Sequence, residues 1–270
     1  MNSYKVGDDV DVSKNKDEVE KTMRNIQLVV EYDGSRYDGW QKQPKYPNRV
    51  TIQDKIESVL NKMEQEDIEL IGAARTEAGV HAYAQVANFV TSSDMKPYEI
   101  KHYLNRFLPR DIAVKEVLEV PERFHSSFNA KSFVYEYKIG IGEVPNVFNR
   151  KYSYYCFDKL DLKEMRKAAS YMIGKHDFKA FADNKKQKKS TEREIYELDI
   201  YGDSEEVVIT IHADDVWPFM ARIIVSTLIE VGTNRLEVER VKEILESKNR
   251  DLAPEAAEAK GLFLVEVKYI

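Results

Sequence analysis

The stretch Gly72-Ala73-Ala74-Arg75-Thr76-Glu77-Ala78-Gly79-Val80-His81-Ala82 sets a cation, a hydroxyl, a carboxylate, a turn glycine and an imidazole side by side. A carboxylate so placed can attack or deprotonate a substrate, or hold developing positive charge. A neighbouring arginine keeps such a carboxylate ionised. Apolar segments flank the stretch, so it is expected to be a loop over a sheet, where functional side chains are commonly carried. Composition alone favours a solvated turn. A second notable residue is Arg222, inside Phe219-Met220-Ala221-Arg222-Ile223-Ile224-Val225. A charge embedded in an apolar helix needs a partner.

Other chemistries lack their residues. One cysteine, Cys156, excludes an internal disulfide framework and a Cys-based zinc site. Five scattered histidines give no metal-site spacing, so no metal is expected. No second carboxylate forms a recognisable pair with Glu77 for a hydrolase. The charge sum of −6 excludes a globally basic nucleic-acid coat, so RNA contact would use local patches. No run of about 18 apolar residues suggests a membrane span. The polar start carries no signal-peptide core, and a reducing, cytoplasmic setting is expected.

Residues 1–24 read as a polar, disordered tail. Order is expected from Asn25, and Ile26–Tyr32 reads as a strand, followed by the turn-rich Asp33–Trp40. Thr51–Gln65 has helical spacing, with Thr51 as N-cap. Strands are expected near Ile68–Gly72, Gln85–Thr91 and Ile112–Val120, and a helix near Tyr98–Phe107. The order β-α-β-β-α-β is that of ferredoxin-like folds. Strands near Phe133–Ile139, Glu194–Tyr201, Glu206–Ala213 and Leu262–Tyr269 approximate it again, with helices at Leu160–Ile173, Val216–Val231 and Val238–Glu246. Pro218 suits the first turn of the Val216 helix. The expected class is α+β, with an N-terminal domain over 25–140 and a C-terminal domain over 141–270 around a central cleft. Gly140–Pro145 is the short joint.

An ordered series of motifs carries a resemblance. Glu31-Tyr32-Asp33-Gly34, Tyr37 and Gly39-Trp40-Gln41 come first, then Thr51-Ile52-Gln53 and the Arg75–Ala82 loop. Leu108-Pro109 with Asp111–Val114, Phe124-His125, Phe128-Asn129-Ala130 and Tyr135-Glu136-Tyr137 follow. Gly174–Phe178, Phe181, Met220, Arg222 and Gly261–Leu264 complete it. The series resembles the TruA family of tRNA pseudouridine synthases over nearly the whole ordered chain. The resemblance implies two ferredoxin-like halves in one continuous antiparallel sheet. It implies isomerisation of uridine to pseudouridine in the tRNA anticodon stem-loop, at positions 38, 39 and/or 40. It also implies a homodimer that needs no cofactor.

By the same resemblance, Glu77 stands where the family has Asp, Arg222 pairs with that carboxylate, Arg75 grips the flipped nucleotide, and Tyr135 stacks on the uracil. Tyr135 would also assist removal of the C5 proton. Ala74, Ser127, Ile223 and Ser226 also depart from the motifs, as in a diverged paralogue. Ala74 would be strained if its position required positive φ. The alternative reading is a catalytically impaired paralogue that binds tRNA or acts as an RNA chaperone.

Candidate RNA-binding residues are Arg36 and Lys42 after the first strand, Arg106 and Arg110 around Leu108-Pro109, and Lys185, Lys186, Lys188 and Lys189 in a basic run. Such a run is a solvated loop unless phosphates meet it. His81 is expected to brace its loop, His125 to be structural, and Cys156 to be a buried small hydrophobe.

Overall fold

A computed structural model describes residues 22–183 and 190–270. The elements run β1 (Arg24–Tyr32), α1 (Ile52–Glu64), β2 (Ile71–Gly72), β3 (His81–Thr91), α2 (Pro97–Phe107), β4 (Ile112–Val120) and β5 (Ser132–Gly140). They continue as β6 (Tyr154–Tyr155), α3 (Leu162–Ser170), β7 (Gly174–Asp177), β8 (Glu192–Gly202), β9 (Glu206–Ala213), α4 (Met220–Gly232), α5 (Val238–Ser247) and β10 (Leu262–Lys268). The class is α+β. All strands join one sheet ordered β4-β1-β3-β10-β5-β9-β8-β7, with β2 on β3 and β6 on β5.

Periodicity explains the regular parts. On β1, Ile26, Leu28, Val30 and Tyr32 alternate inward and are buried. On α1, Ile52, Ile56, Val59 and Leu60 share the buried face. The Thr51 hydroxyl caps α1 by accepting from the Asp54 N–H at 3.2 Å. Asp161 does the same for α3, accepting from Lys163 and Glu164.

Several expectations need correction. The sheet is not antiparallel throughout. At its centre β3 and β10 run parallel, through Phe263 opposite His81 and Leu264 opposite Ala82. Periodicity identifies strands but not which edges meet. β5 lies before the expected joint, yet it pairs with β10 and β9, both beyond residue 140. Ile68–Leu70 is not strand, and β2 is a two-residue stub. Order begins at or before Arg24, whose guanidinium donates to the Ser93 and Met95 carbonyls. Residues 1–21 of the expected tail lie outside the described residues. α4 starts at Met220, so Pro218 precedes the helix. The strands β6 and β7 were not expected, being too short for a period to show. Among the described residues no helix is long and apolar enough to cross a membrane.

Candidate functional site

The loop between β2 and β3 is held from two sides. On one side, the Trp40 N–H donates to the Thr76 carbonyl at 3.1 Å, and the Gly79 N–H to the Tyr37 carbonyl at 3.2 Å. The Tyr32 and Thr76 hydroxyls share a bond of 2.7 Å. The support continues into α1, whose Ile52 and Gln53 N–H groups donate to the Gly39 and Trp40 carbonyls, both at 3.1 Å. On the other side, the buried Gln85 amide takes the Ala74 N–H at 3.1 Å and donates to the Ala74 carbonyl at 2.7 Å. Ala74 is not among the residues with positive φ, so the strain feared for it does not arise.

This scaffold presents Glu77. Its Oε2 accepts from Arg222 Nη1 at 2.6 Å, and its Oε1 accepts from the Phe219 N–H at 2.6 Å. The pairing of Arg222 with Glu77 is therefore present. Both side chains are largely shielded, at 14% and 22% exposure, so the pair is less screened than a surface bridge. Arg222 is itself oriented, since Nε donates to the Ala257 carbonyl at 2.6 Å and the guanidinium lies 5.3 Å from the Phe219 ring centroid. Phe219 has φ of 65°, in the left-handed region, just before α4. That turn aims its N–H at the carboxylate. The Phe219 N–H and the Ala257 carbonyl were missed in the sequence, because a backbone group leaves no signature in side-chain type.

Glu77 lines a cavity of about 400 Å³, a volume suited to a small ligand. Arg75, Thr76, Ser127, Phe128, Tyr135 and Trp217 share its wall. Arg75 is exposed there. Tyr135 is nearly buried. Burial holds its phenol well above the ordinary value, with Asp215, Tyr32 and Glu77 adding to the effect. A further cluster was also missed. Arg193 bridges to Asp215 at 3.3 Å and lies 4.8 Å from the Trp217 ring centroid. Arg193 Nε and Trp217 Nε1 are buried without partners among the described residues. Burial pushes the Asp215 carboxyl up, against the pull of Arg193. A lone cation near a strand start, far from the loop in sequence, gave no hint of this.

Among the described residues, none of the other expected RNA-binding cations lines this cavity. Arg36 bridges to Asp111. Lys42 sits 3.1 Å from Glu57 and 3.8 Å from Asp54, so much of its charge offsets helix carboxylates. Arg106 and Arg110 are exposed. Lys185, Lys186, Lys188 and Lys189 lie outside the described residues. His81 is buried at the start of β3, where Nδ1 accepts from the Gly34 N–H at 3.1 Å. Burial pushes its imidazole below the ordinary value, against the pull of Asp33. It braces the Asp33 turn. Cys156 is buried, and burial pushes its thiol up. Ile223 is fully buried in α4, which suits an apolar residue.

The profile of the family described as tRNA pseudouridine synthase matches residues 28–129 and 168–270. The chain is 44% identical over 247 residues to a tRNA pseudouridine synthase A 2 of Bacillus cereus, covering 92% of this chain and 100% of that one. It is 42% identical to tRNA pseudouridine synthase A of Acetivibrio thermocellus, with the same coverage. Against the solved archaeal box H/ACA sRNP Nop10-Cbf5 complex, the TM-score is 0.30 at 9% identity, covering 86% of this chain and 68% of that one. That likeness is too slight to carry weight. The matched profile spans both ends of the sheet, and the chain belongs to the tRNA pseudouridine synthase family.

Proposed function

We propose that this isomerase acts on uridines of the tRNA anticodon stem-loop, at positions 38, 39 and/or 40, as a cytoplasmic homodimer without a cofactor. Its two halves are read as ferredoxin-like, supported by the strand orders β4-β1-β3-β2 and β10-β5-β9-β8. RNA would lie in the cleft between them. The target base must leave its stack to be reached. The C1′–N1 bond then breaks, the base turns, and C5 bonds to C1′. C5 loses its proton and N1 gains one, so no atom is added or lost.

The observation that carries this reading is the Glu77 carboxylate, gripped by Arg222 and the Phe219 N–H at a cavity shared with Arg75 and Tyr135. Glu77 acts at the sugar, as nucleophile or base, and offsets charge that develops there. Arg222 orients it. Arg75, exposed on the rim, grips the extruded nucleotide or its phosphate. Tyr135 stacks on the uracil. Its raised pKa keeps the phenol protonated, which favours stacking over proton removal in the phenolate form.

The test is tritium release from C5-labelled uridine in tRNA, with binding measured in parallel. Wild type is expected to release tritium. Glu77→Gln, equal in size but uncharged, is expected to bind and lose turnover by roughly 10³-fold, as for loss of a principal electrostatic group. Equal turnover by the two removes Glu77 from the mechanism. A wild type that binds tRNA but releases no tritium makes the chain a catalytically impaired tRNA-binding protein instead.

A further inference from the structure

Phe128 is an apolar ring left 83% exposed, yet it is held rigidly. Its N–H and that of Ser127 both donate to His125 Nδ1, each at 3.2 Å. Both bonds use Nδ1 as their acceptor. The phenyl ring stacks on the imidazole, with centroids 3.9 Å apart and planes 18° apart. The turn is closed by the His125 N–H to Asn129 Oδ1 at 2.7 Å and by the Asn129 N–H to the His125 carbonyl at 3.0 Å.

The turn is also tied to the core. Ser126 donates to Asn88 Oδ1 through its N–H at 2.8 Å and its hydroxyl at 2.6 Å. Asn88 donates in turn to Asn25 at 3.0 Å, and the Tyr269 hydroxyl donates to the Ser126 carbonyl at 2.8 Å. Asn25, Asn88 and Ser126 are all buried, and such a satisfied polar network rigidifies what it holds. A phenyl ring held out in water gains nothing from burial. Its fixed position suits a flat partner that arrives from outside, and it lines the same cavity as Glu77, Arg75 and Tyr135.

Extruding a base leaves a gap in the stack, and an apolar or aromatic side chain entering such a gap recovers part of the lost stacking. We propose that Phe128 is the wedge that fills the gap vacated by the target uridine, stacking on the flanking base while the uridine enters the cavity. The proposal rests on the pseudouridine synthase reading. RNA is favoured over a protein partner because the ring shares its cavity with the carboxylate and with the exposed Arg75. His125 sets the angle of the ring and is a positioning residue.

The test uses the full chain and an anticodon stem-loop RNA with 2-aminopurine immediately 3′ of the target uridine. Wild-type binding is expected to leave the fluorescence low, because the probe stays stacked. Phe128→Ala is expected to raise it several-fold and to lower kcat/KM by roughly 5- to 150-fold, the range for loss of one base–aromatic stack. Phe128→Trp is expected to restore both, and Phe128→Leu only in part. Unchanged fluorescence and turnover in Phe128→Ala overturns the wedge. So does equal loss in the Ala, Leu and Trp variants, which marks a folding role. The fluorescence arm needs binding alone, so a wild type that binds without turnover fails the functional reading while the wedge is still read. A wild type that does not bind the RNA overturns both.

Discussion

Glu77 is one methylene longer than the aspartate of the resembled motif, and both of its oxygens are nevertheless engaged, by Arg222 and by the Phe219 N–H. The longer side chain thus spans both partners in this structure. Glu77→Asp is therefore expected to withdraw the carboxylate by about 1 Å and to cost about 10²-fold in tritium release, with tRNA binding retained. Unchanged release would show that the loop follows the carboxylate. A second residue-scale prediction concerns acid stability. Burial alone would raise the Asp111 carboxyl, but hydrogen bonds from Tyr37 and Arg36 overcome this and hold it below its ordinary value. A depressed carboxyl stabilises the fold above its unfolded pKa, and that contribution is lost as pH falls through the folded value. The Tyr37 hydroxyl donates to Asp111 at 2.6 Å. Tyr37→Phe is expected to lower stability at pH 7 by about 1 kcal/mol. Urea titrations should show the difference from wild type shrinking below the ordinary carboxylate range.

At the scale of elements, the site depends on how closely the turn after β1 approaches the loop before β3. Gly39 has φ of 93°, and a Cβ there would stand 2.5 Å from the Thr76 carbonyl oxygen. Gly34 is as tightly placed, with a Cβ 2.0 Å from the Val80 carbonyl oxygen. The Asp-Gly and Gly-Trp pairs of the first motif thus serve the loop that carries Glu77. Gly39→Ala incurs both an unfavourable φ and a backbone clash. It is expected to destabilise by roughly 1–3 kcal/mol, and to lower turnover because the clash falls beside Glu77. Thermal melts and tritium release check it together, and a melt within one degree of wild type would contradict the argument. The helices were legible in their apolar spacing, as on α1. The start of α4 was not, because Phe219 takes a left-handed turn that side-chain periodicity does not register.

At the scale of the molecule, a chain of net charge −6 must bind an anion through a minority of its cations. Arg36 and Lys42 are paired with carboxylates, which leaves Arg75, Arg106, Arg110 and the lysine run as the candidates. Replacing Lys185, Lys186, Lys188 and Lys189 by Ala is expected to weaken tRNA binding and to flatten the dependence of log K on log salt, by up to about 0.9 for each phosphate no longer neutralised. An unchanged slope removes that run from the RNA contact. The sequence by itself determined the α+β class, the apolar faces of β1 and α1, the loop holding Glu77, and the need of Arg222 for a partner. Each follows from local spacing, or from the cost of burying a charge, and both are written in residue type. The tertiary structure alone decided that β3 meets β10 in parallel, that Arg193, Asp215 and Trp217 line the cavity of Glu77, and that the Phe219 N–H grips its carboxylate. Glu77 and Phe219 lie 142 residues apart along the chain. A contact over that separation is made by folding the whole sheet, and one of its partners is a backbone N–H that every residue except proline carries.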